Sequence, residues 1–156
     1  MPEINLAVED FILPSTGDKE FSLANCTGKN VIIYFYPKDD TPGCTIEGQN
    51  FRDNWHLFTE MNCIIVGVSR DSIKSHEGFK AKMQFPFELL SDADEKVCDL
   101  FGVMKMKNMY GKQVRGIERS TFVIDTQGIL RKEWRGVKVP GHIQEVLDFV
   151  NTFSQQ

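Results

Sequence analysis

Cys44 stands three residues after a threonine and three before a glutamate, in Thr41-Pro42-Gly43-Cys44-Thr45-Ile46-Glu47. The apolar run Val31-Ile32-Ile33-Tyr34-Phe35-Tyr36 and the turn residues Pro37-Lys38-Asp39-Asp40 lead into it. Thr41 followed by Pro42 is the pattern of a helix N-cap with proline at the first helical position, so Cys44 falls in the first turn of a helix. A thiol there faces unpaired backbone N–H groups and the positive end of the helix dipole, and both favour thiolate over thiol. The chemistry on offer is nucleophilic attack by sulfur, against the alternative of an inert buried thiol acting as a small hydrophobe. Dithiol exchange at this motif is excluded, because Thr41 stands where the first cysteine of a C-x-x-C would be.

The elements that must position this stretch follow from the rest of the chain. Val31 to Tyr36 has no polar alternation, and its β-branched and aromatic residues suit a central, parallel strand covered on both faces. Upstream, residues 10–30 are turn-rich and read as a hairpin or short edge strands. Downstream, Ile46, Phe51, Trp55 and Phe58 recur at helical spacing and extend the cysteine's helix to about Met61. Cys63 to Ser69 repeats the buried-strand pattern, Ser72 to Met83 is a more polar helix, and Phe87 to Leu90 is a short strand before a short helix ending near Phe101. Met104 to Arg115 reads as a solvated loop carrying Lys105, Lys107, Lys112 and Arg115. Ser120 to Asp125, the turn Thr126-Gln127-Gly128, and Ile129 to Trp134 form an antiparallel hairpin, and Ile143, Val146, Leu147 and Val150 stripe a last helix from about Gly141 to Phe153. Alternating strands and helices indicate an α/β fold with a mixed sheet, expected as a single domain over residues 1–156.

Composition narrows the function further. A net charge of -4 argues against general nucleic-acid affinity, and the acidic N-terminus lacks the basic start and apolar run of a secretory signal. The longest apolar run is far too short to span a bilayer, so a cytoplasmic location is expected. The four cysteines, Cys26, Cys44, Cys63 and Cys98, lie far apart with no zinc-ligand spacing, so neither a metal site nor a structural disulfide framework is expected.

The segment Pro37-x-x-x-Thr41-x-x-Cys44, with Tyr34-Phe35-Tyr36-Pro37-Lys38 before it and Thr41-Pro42-Gly43-Cys44-Thr45 within it, resembles the peroxidatic motif of the peroxiredoxins. It is most similar to their bacterioferritin comigratory protein, or Q-type, subfamily. Similar text recurs at Gly67-Val68-Ser69, Leu89-Leu90-Ser91-Asp92, Phe101-Gly102-Val103 and Arg119-Ser120-Thr121-Phe122-Val123-Ile124-Asp125. The resemblance implies a thioredoxin-like fold, a mixed sheet flanked by helices with an N-terminal β-hairpin extension, and a thiol peroxidase acting on hydrogen peroxide and organic hydroperoxides without a bound cofactor.

Carried over by residue, it makes Cys44 the nucleophile that becomes a sulfenic acid, and Thr41 a hydrogen-bonding partner of the peroxide. Pro37 would shield the pocket, Arg119 would hold thiolate and substrate, and Glu47 would orient Arg119. Each has a plainer alternative: Thr41 as N-cap, Pro37 as strand terminator, Glu47 as a solvated helix residue, Arg119 as a strand-end surface residue. Holding a free thiol mostly ionised at pH 7 takes roughly 2.7 kcal/mol, while a helix N-terminus supplies about 0.3–1 and up to ~2. A guanidinium is the natural source of the rest.

The chain departs from the subfamily in its resolving thiol. Many members place a second cysteine five residues after the first, where this chain has Gln49, and others place it in the helix at 72–83, which here contains none. The expectation is a one-cysteine cycle resolved by an external thiol, glutathione or a thioredoxin- or glutaredoxin-like protein. The alternatives are internal resolution by Cys26, Cys63 or Cys98, with Cys26 the most exposed of them, and a non-catalytic binding or chaperone-like protein of the same fold. A monomer is favoured over a dimer.

Overall fold

The computed structural model describes residues 1–154. Its elements run β1 (Ile12–Ser15), β2 (Lys19–Ser22), a 3-10 turn (Leu23–Cys26), β3 (Asn30–Phe35), α1 (Pro42–Asp53), α2 (Trp55–Glu60), β4 (Cys63–Ser69) and α3 (Ile73–Met83). They continue as β5 (Glu88–Ser91), α4 (Lys96–Phe101), β6 (Met104–Met109), β7 (Lys112–Ile117), β8 (Ser120–Ile124), β9 (Leu130–Arg135) and α5 (His142–Ser154).

Seven strands form one sheet in the order β2-β1-β5-β4-β3-β8-β9. β3 is central, pairing parallel with β4 and antiparallel with β8, so the sheet is mixed and the expectation of a parallel strand holds on one side only. β1 and β2 form the expected N-terminal hairpin, joined to the sheet where β1 pairs with β5.

Both faces of β3 are buried, which its unbroken apolar sequence requires. Val31, Ile33 and Phe35 pack on one face with Phe101 and Cys98 of α4 and with Phe11, Leu13 and Leu23. Ile32, Tyr34 and Tyr36 pack on the other with Cys44 and Phe51 of α1, Phe58 of α2, Phe79 and Met83 of α3, and Val146 and Val150 of α5. Four helices therefore cover the face that bears the cysteine, and Tyr34 stacks on Phe51 with ring centroids 4.6 Å apart.

Two expected elements differ. The helix expected to run from Pro42 to about Met61 breaks at Asn54, whose side-chain amide donates to the Asn50 carbonyl at 2.8 Å while the chain restarts as α2. An asparagine side chain can compete in this way for helical backbone partners. The expected loop from Met104 to Arg115 is instead the two-stranded β6-β7 ribbon, in register from Met104 opposite Ile117 to Met109 opposite Lys112. Tyr110 and Gly111 both take positive φ, 54° and 80°, the backbone of a two-residue hairpin turn. Tyrosine at its first position, and charges on both faces of the ribbon, hid it from a reading based on turn residues and alternation.

Candidate active site

The chain leaves β3 through Tyr36 and half-buried Pro37, turns at Asp40 with φ 58°, and enters α1 at Thr41 in extended conformation with Pro42 next. The first helical hydrogen bond runs from the Thr45 amide to the Thr41 carbonyl at 2.8 Å, so the Gly43 and Cys44 amides precede the helical ladder. Cys44 is 2 % exposed. Thr41 occupies the N-cap position, but its hydroxyl does not cap the helix; it donates to the Lys38 carbonyl at 2.8 Å. The oxygen keeps its lone pairs free to accept.

Arg119 immediately precedes β8 and is fixed by its own carbonyl, which accepts from the Val137 amide at 2.9 Å. Its Nη1 donates to Glu47 Oε1 at 2.7 Å and its Nη2 to Cys44 Sγ at 3.5 Å. One guanidinium thus bridges the carboxylate and the sulfur, which lie one helical turn apart on α1. Glu47 is 2 % exposed, so the solvated alternative does not describe it.

Gly43 makes room for this bridge, since a Cβ there would lie 3.0 Å from Arg119 Nη2. Gly43→Ala is expected to displace Nη2 from the sulfur and lower the peroxide rate constant about tenfold or more, as measured by stopped-flow fluorescence.

The comparisons with known proteins agree on what this arrangement belongs to. The model of the AhpC/TSA family matches residues 4–133. The chain belongs to the AhpC/TSA family. It is 47% identical to the peroxiredoxin Bcp of Xanthomonas campestris over 99% of this chain and 96% of that protein. It is 44% identical to the peroxiredoxin Bcp of Bacillus subtilis over 99% of this chain and 98% of that one. A solved bacterioferritin comigratory protein of Xanthomonas campestris, studied for alkyl peroxide reduction, superposes with a TM-score of 0.89 at 45% identity, covering 96% of this chain and 99% of that one. The chain is a peroxiredoxin with a thioredoxin-like fold, and hence a thiol peroxidase. No helix among its described residues is long and apolar enough to cross a membrane.

In this peroxiredoxin the other three cysteines sit in environments that oppose ionisation. Burial pushes the Cys63 thiol up to about 12. Burial and the neighbouring Asp92 push Cys98 up further still. Half-buried Cys26, still the most exposed of the three, is raised by burial and then by Asp10. Thiolate is the reactive form of cysteine, and burial disfavours it at all three.

Burial also pushes the Glu47 carboxyl up to about 7, against the opposing pull of Arg119's charge and hydrogen bond. Burial alone would lower Arg119, but the Glu47 carboxylate and the Cys44 sulfur outweigh it and raise the guanidinium. Arg119 therefore stays charged while Glu47 titrates. Because the folded value of Glu47 exceeds its ordinary 4.5, its contribution to stability is fully present below about 4.5 and is lost as pH rises through about 7. Glu47→Gln is expected to abolish that slope, so that its melting temperature relative to the parent rises between pH 5 and 8 in thermal scans.

Two features of the site were not read from the sequence. The β6-β7 ribbon brings Lys107 into the electrostatic field of Arg119 and Cys44, with its ammonium donating to the Ile117 carbonyl. Asp39, Asp71 and His76 converge behind the turn, with ligand-type atoms within 4.8 Å of one another. The sequence offered only a strand-ending Asp39-Asp40 pair and a histidine in a polar helix as signals.

Proposed function

We propose that Cys44 is the peroxidatic nucleophile of a one-cysteine cycle, resolved by a thiol from outside the chain. The observation that carries this reading is the Arg119 guanidinium shared between Glu47 and the Cys44 sulfur. Cys44 as thiolate attacks one oxygen of hydrogen peroxide or an organic hydroperoxide. The O–O bond breaks, sulfur is oxidised to sulfenic acid, and the departing oxygen takes up a proton and leaves as water or alcohol. Arg119 stabilises the attacking anion and then the charge growing on the leaving oxygen. Thr41, whose proton is committed to the Lys38 carbonyl, accepts a hydrogen bond from the peroxide hydroxyl. Glu47 orients the guanidinium, and Pro37 keeps water from the thiolate.

An external thiolate then attacks the sulfenic sulfur, the hydroxyl leaves as water, and a mixed disulfide forms. A second thiol releases Cys44 by exchange. Glutathione or a thioredoxin- or glutaredoxin-like protein fits this role. The absence of a cysteine at Gln49 and in α3, together with the raised Cys26, Cys63 and Cys98, supports an outside source. On this reading the whole chain is one domain, working as a monomer in the reducing cytoplasm. The test is peroxide consumption: with dithiothreitol the protein turns over continuously, and without thiol it consumes about one equivalent. No thiol-dependent consumption would refute the reading.

A further inference from the structure

The turn that delivers Cys44 is held from behind by a polar cluster. Asp39, 7 % exposed, accepts from the Tyr36 hydroxyl at 2.6 Å on Oδ1 and from the Ser75 hydroxyl at 2.7 Å on Oδ2. His76 of α3 is fully buried, with Nδ1 2.7 Å from Asp39 Oδ2 and Nε2 2.9 Å from the Leu90 carbonyl of β5. A carbonyl only accepts, so Nε2 carries a proton. Nδ1 faces both the Asp39 carboxylate and, at 3.4 Å, the Tyr36 hydroxyl, so the ring is held at both nitrogens by the protein itself. Although burial pushes Asp39 up, the His76 and Tyr36 hydrogen bonds outweigh it and hold the carboxyl below its usual range.

The cluster reaches the site through a single peptide. The Asp39 amide donates to Asp71 Oδ2 at 2.9 Å, and that oxygen is also held by the Ser69 hydroxyl at 2.6 Å. The carbonyl of the same peptide, Lys38 C=O, is the acceptor of the Thr41 hydroxyl. Between them lies Asp40, a non-glycine residue at φ 58°, a conformation that persists only where its surroundings over-determine it. Facing the pair are Tyr36 just after β3, Ser69 at the end of β4 and Asp71 just beyond it, Ser75 from α3 and the Leu90 carbonyl from β5. Lys82 and Asp40 pair on the outer, exposed side.

We propose that Asp39 and His76 are positioning residues of the peroxidase: through their buried hydrogen bond they clamp the turn before Cys44 to α3 and fix the Lys38-Asp39 peptide, and with it the direction of the Thr41 hydroxyl. This rests on the reading of Thr41 and Cys44 given above. The clamp acts on peroxide binding rather than on the sulfur itself, whose contact is with Arg119.

Asp39→Ala and His76→Ala are each expected to lower kcat/KM for peroxide about tenfold or more in the dithiothreitol assay, while alkylation of Cys44 by iodoacetamide stays within about threefold of the parent. Asp39→Asn, whose amide can donate to a neutral ring and still accept from Tyr36, is expected to restore kcat/KM to within about threefold. On the unsubstituted protein, NMR of the His76 ring is expected to show an Nε2–H protected from solvent exchange by its bond to the Leu90 carbonyl. Parental kcat/KM in both alanine variants, or peroxide and alkylation rates falling together, would overturn the proposal, as would a His76 ring proton in free exchange with solvent. An unsubstituted protein that consumes no peroxide would instead defeat the underlying reading of Cys44, and the ring measurement would still decide whether the clamp is closed.

Discussion

Replacing Arg119 with alanine is expected to lower the second-order rate constant for peroxide reduction about 10²–10³-fold, or about 2.7–4 kcal/mol of transition-state stabilisation. The magnitude follows from what Nη2 touches. It donates to the sulfur at 3.5 Å in a site only partly open to water, where Arg119 is 16% exposed and its partner Glu47 2%. Removing the guanidinium removes a donor to the thiolate and to the oxygen on which charge develops, and leaves the buried Glu47 carboxyl without its hydrogen-bond partner. Arg119→Lys is expected to recover only part of the loss, because an ammonium cannot bridge Glu47 and Cys44 with two in-plane donors. Stopped-flow measurement with hydrogen peroxide separates the outcomes, and a parental rate in Arg119→Ala would remove the residue from the mechanism.

Cys44→Ser is expected to reduce thiol-dependent peroxide consumption to the uncatalysed background. The replacement is close in size and keeps its place at the opening of α1, buried against Phe51 and Tyr34, so folding should survive. What is lost is the atom that can be oxidised by two electrons and returned by thiols, since a serine alkoxide is not formed at neutral pH and has no sulfenic state. Substituting Cys26, Cys63 and Cys98 together, by contrast, is expected to leave the rate of peroxide attack near the parental value. The same dithiothreitol assay reads both, and residual turnover in Cys44→Ser would mean that another cysteine carries oxidation.

The parts legible in the sequence were those with local causes. An unbroken apolar run announced β3 as central, and Thr41-Pro42 announced the start of α1 and so the depth of Cys44. Those two elements fix the site's position in the fold. Glu47 was legible only through the family resemblance, because a glutamate one turn into a helix looks solvated until its partner is known. That partner, Arg119, is 75 residues from Cys44. The Asp39-His76 clamp was missed for the same reason in stronger form, as it joins a turn to a helix 37 residues away and to Asp71 at the end of β4. The β6-β7 ribbon was missed because its turn lacks an asparagine or aspartate before Gly111 and its strands bury little. Long-range polar pairs and poorly buried strands leave no periodic trace in a single sequence.

The claim on which the rest depends is that Cys44 is oxidised and that its rescue comes from outside the chain. Oxidation with one equivalent of hydrogen peroxide in the presence of dimedone, followed by peptide mass spectrometry, tests it directly. The expected result is a dimedone adduct at Cys44 in good yield, with Cys26, Cys63 and Cys98 recovered as free thiols. A disulfide joining Cys44 to any of those three in good yield would contradict the external-thiol cycle, and an adduct-free Cys44 would contradict its role as nucleophile.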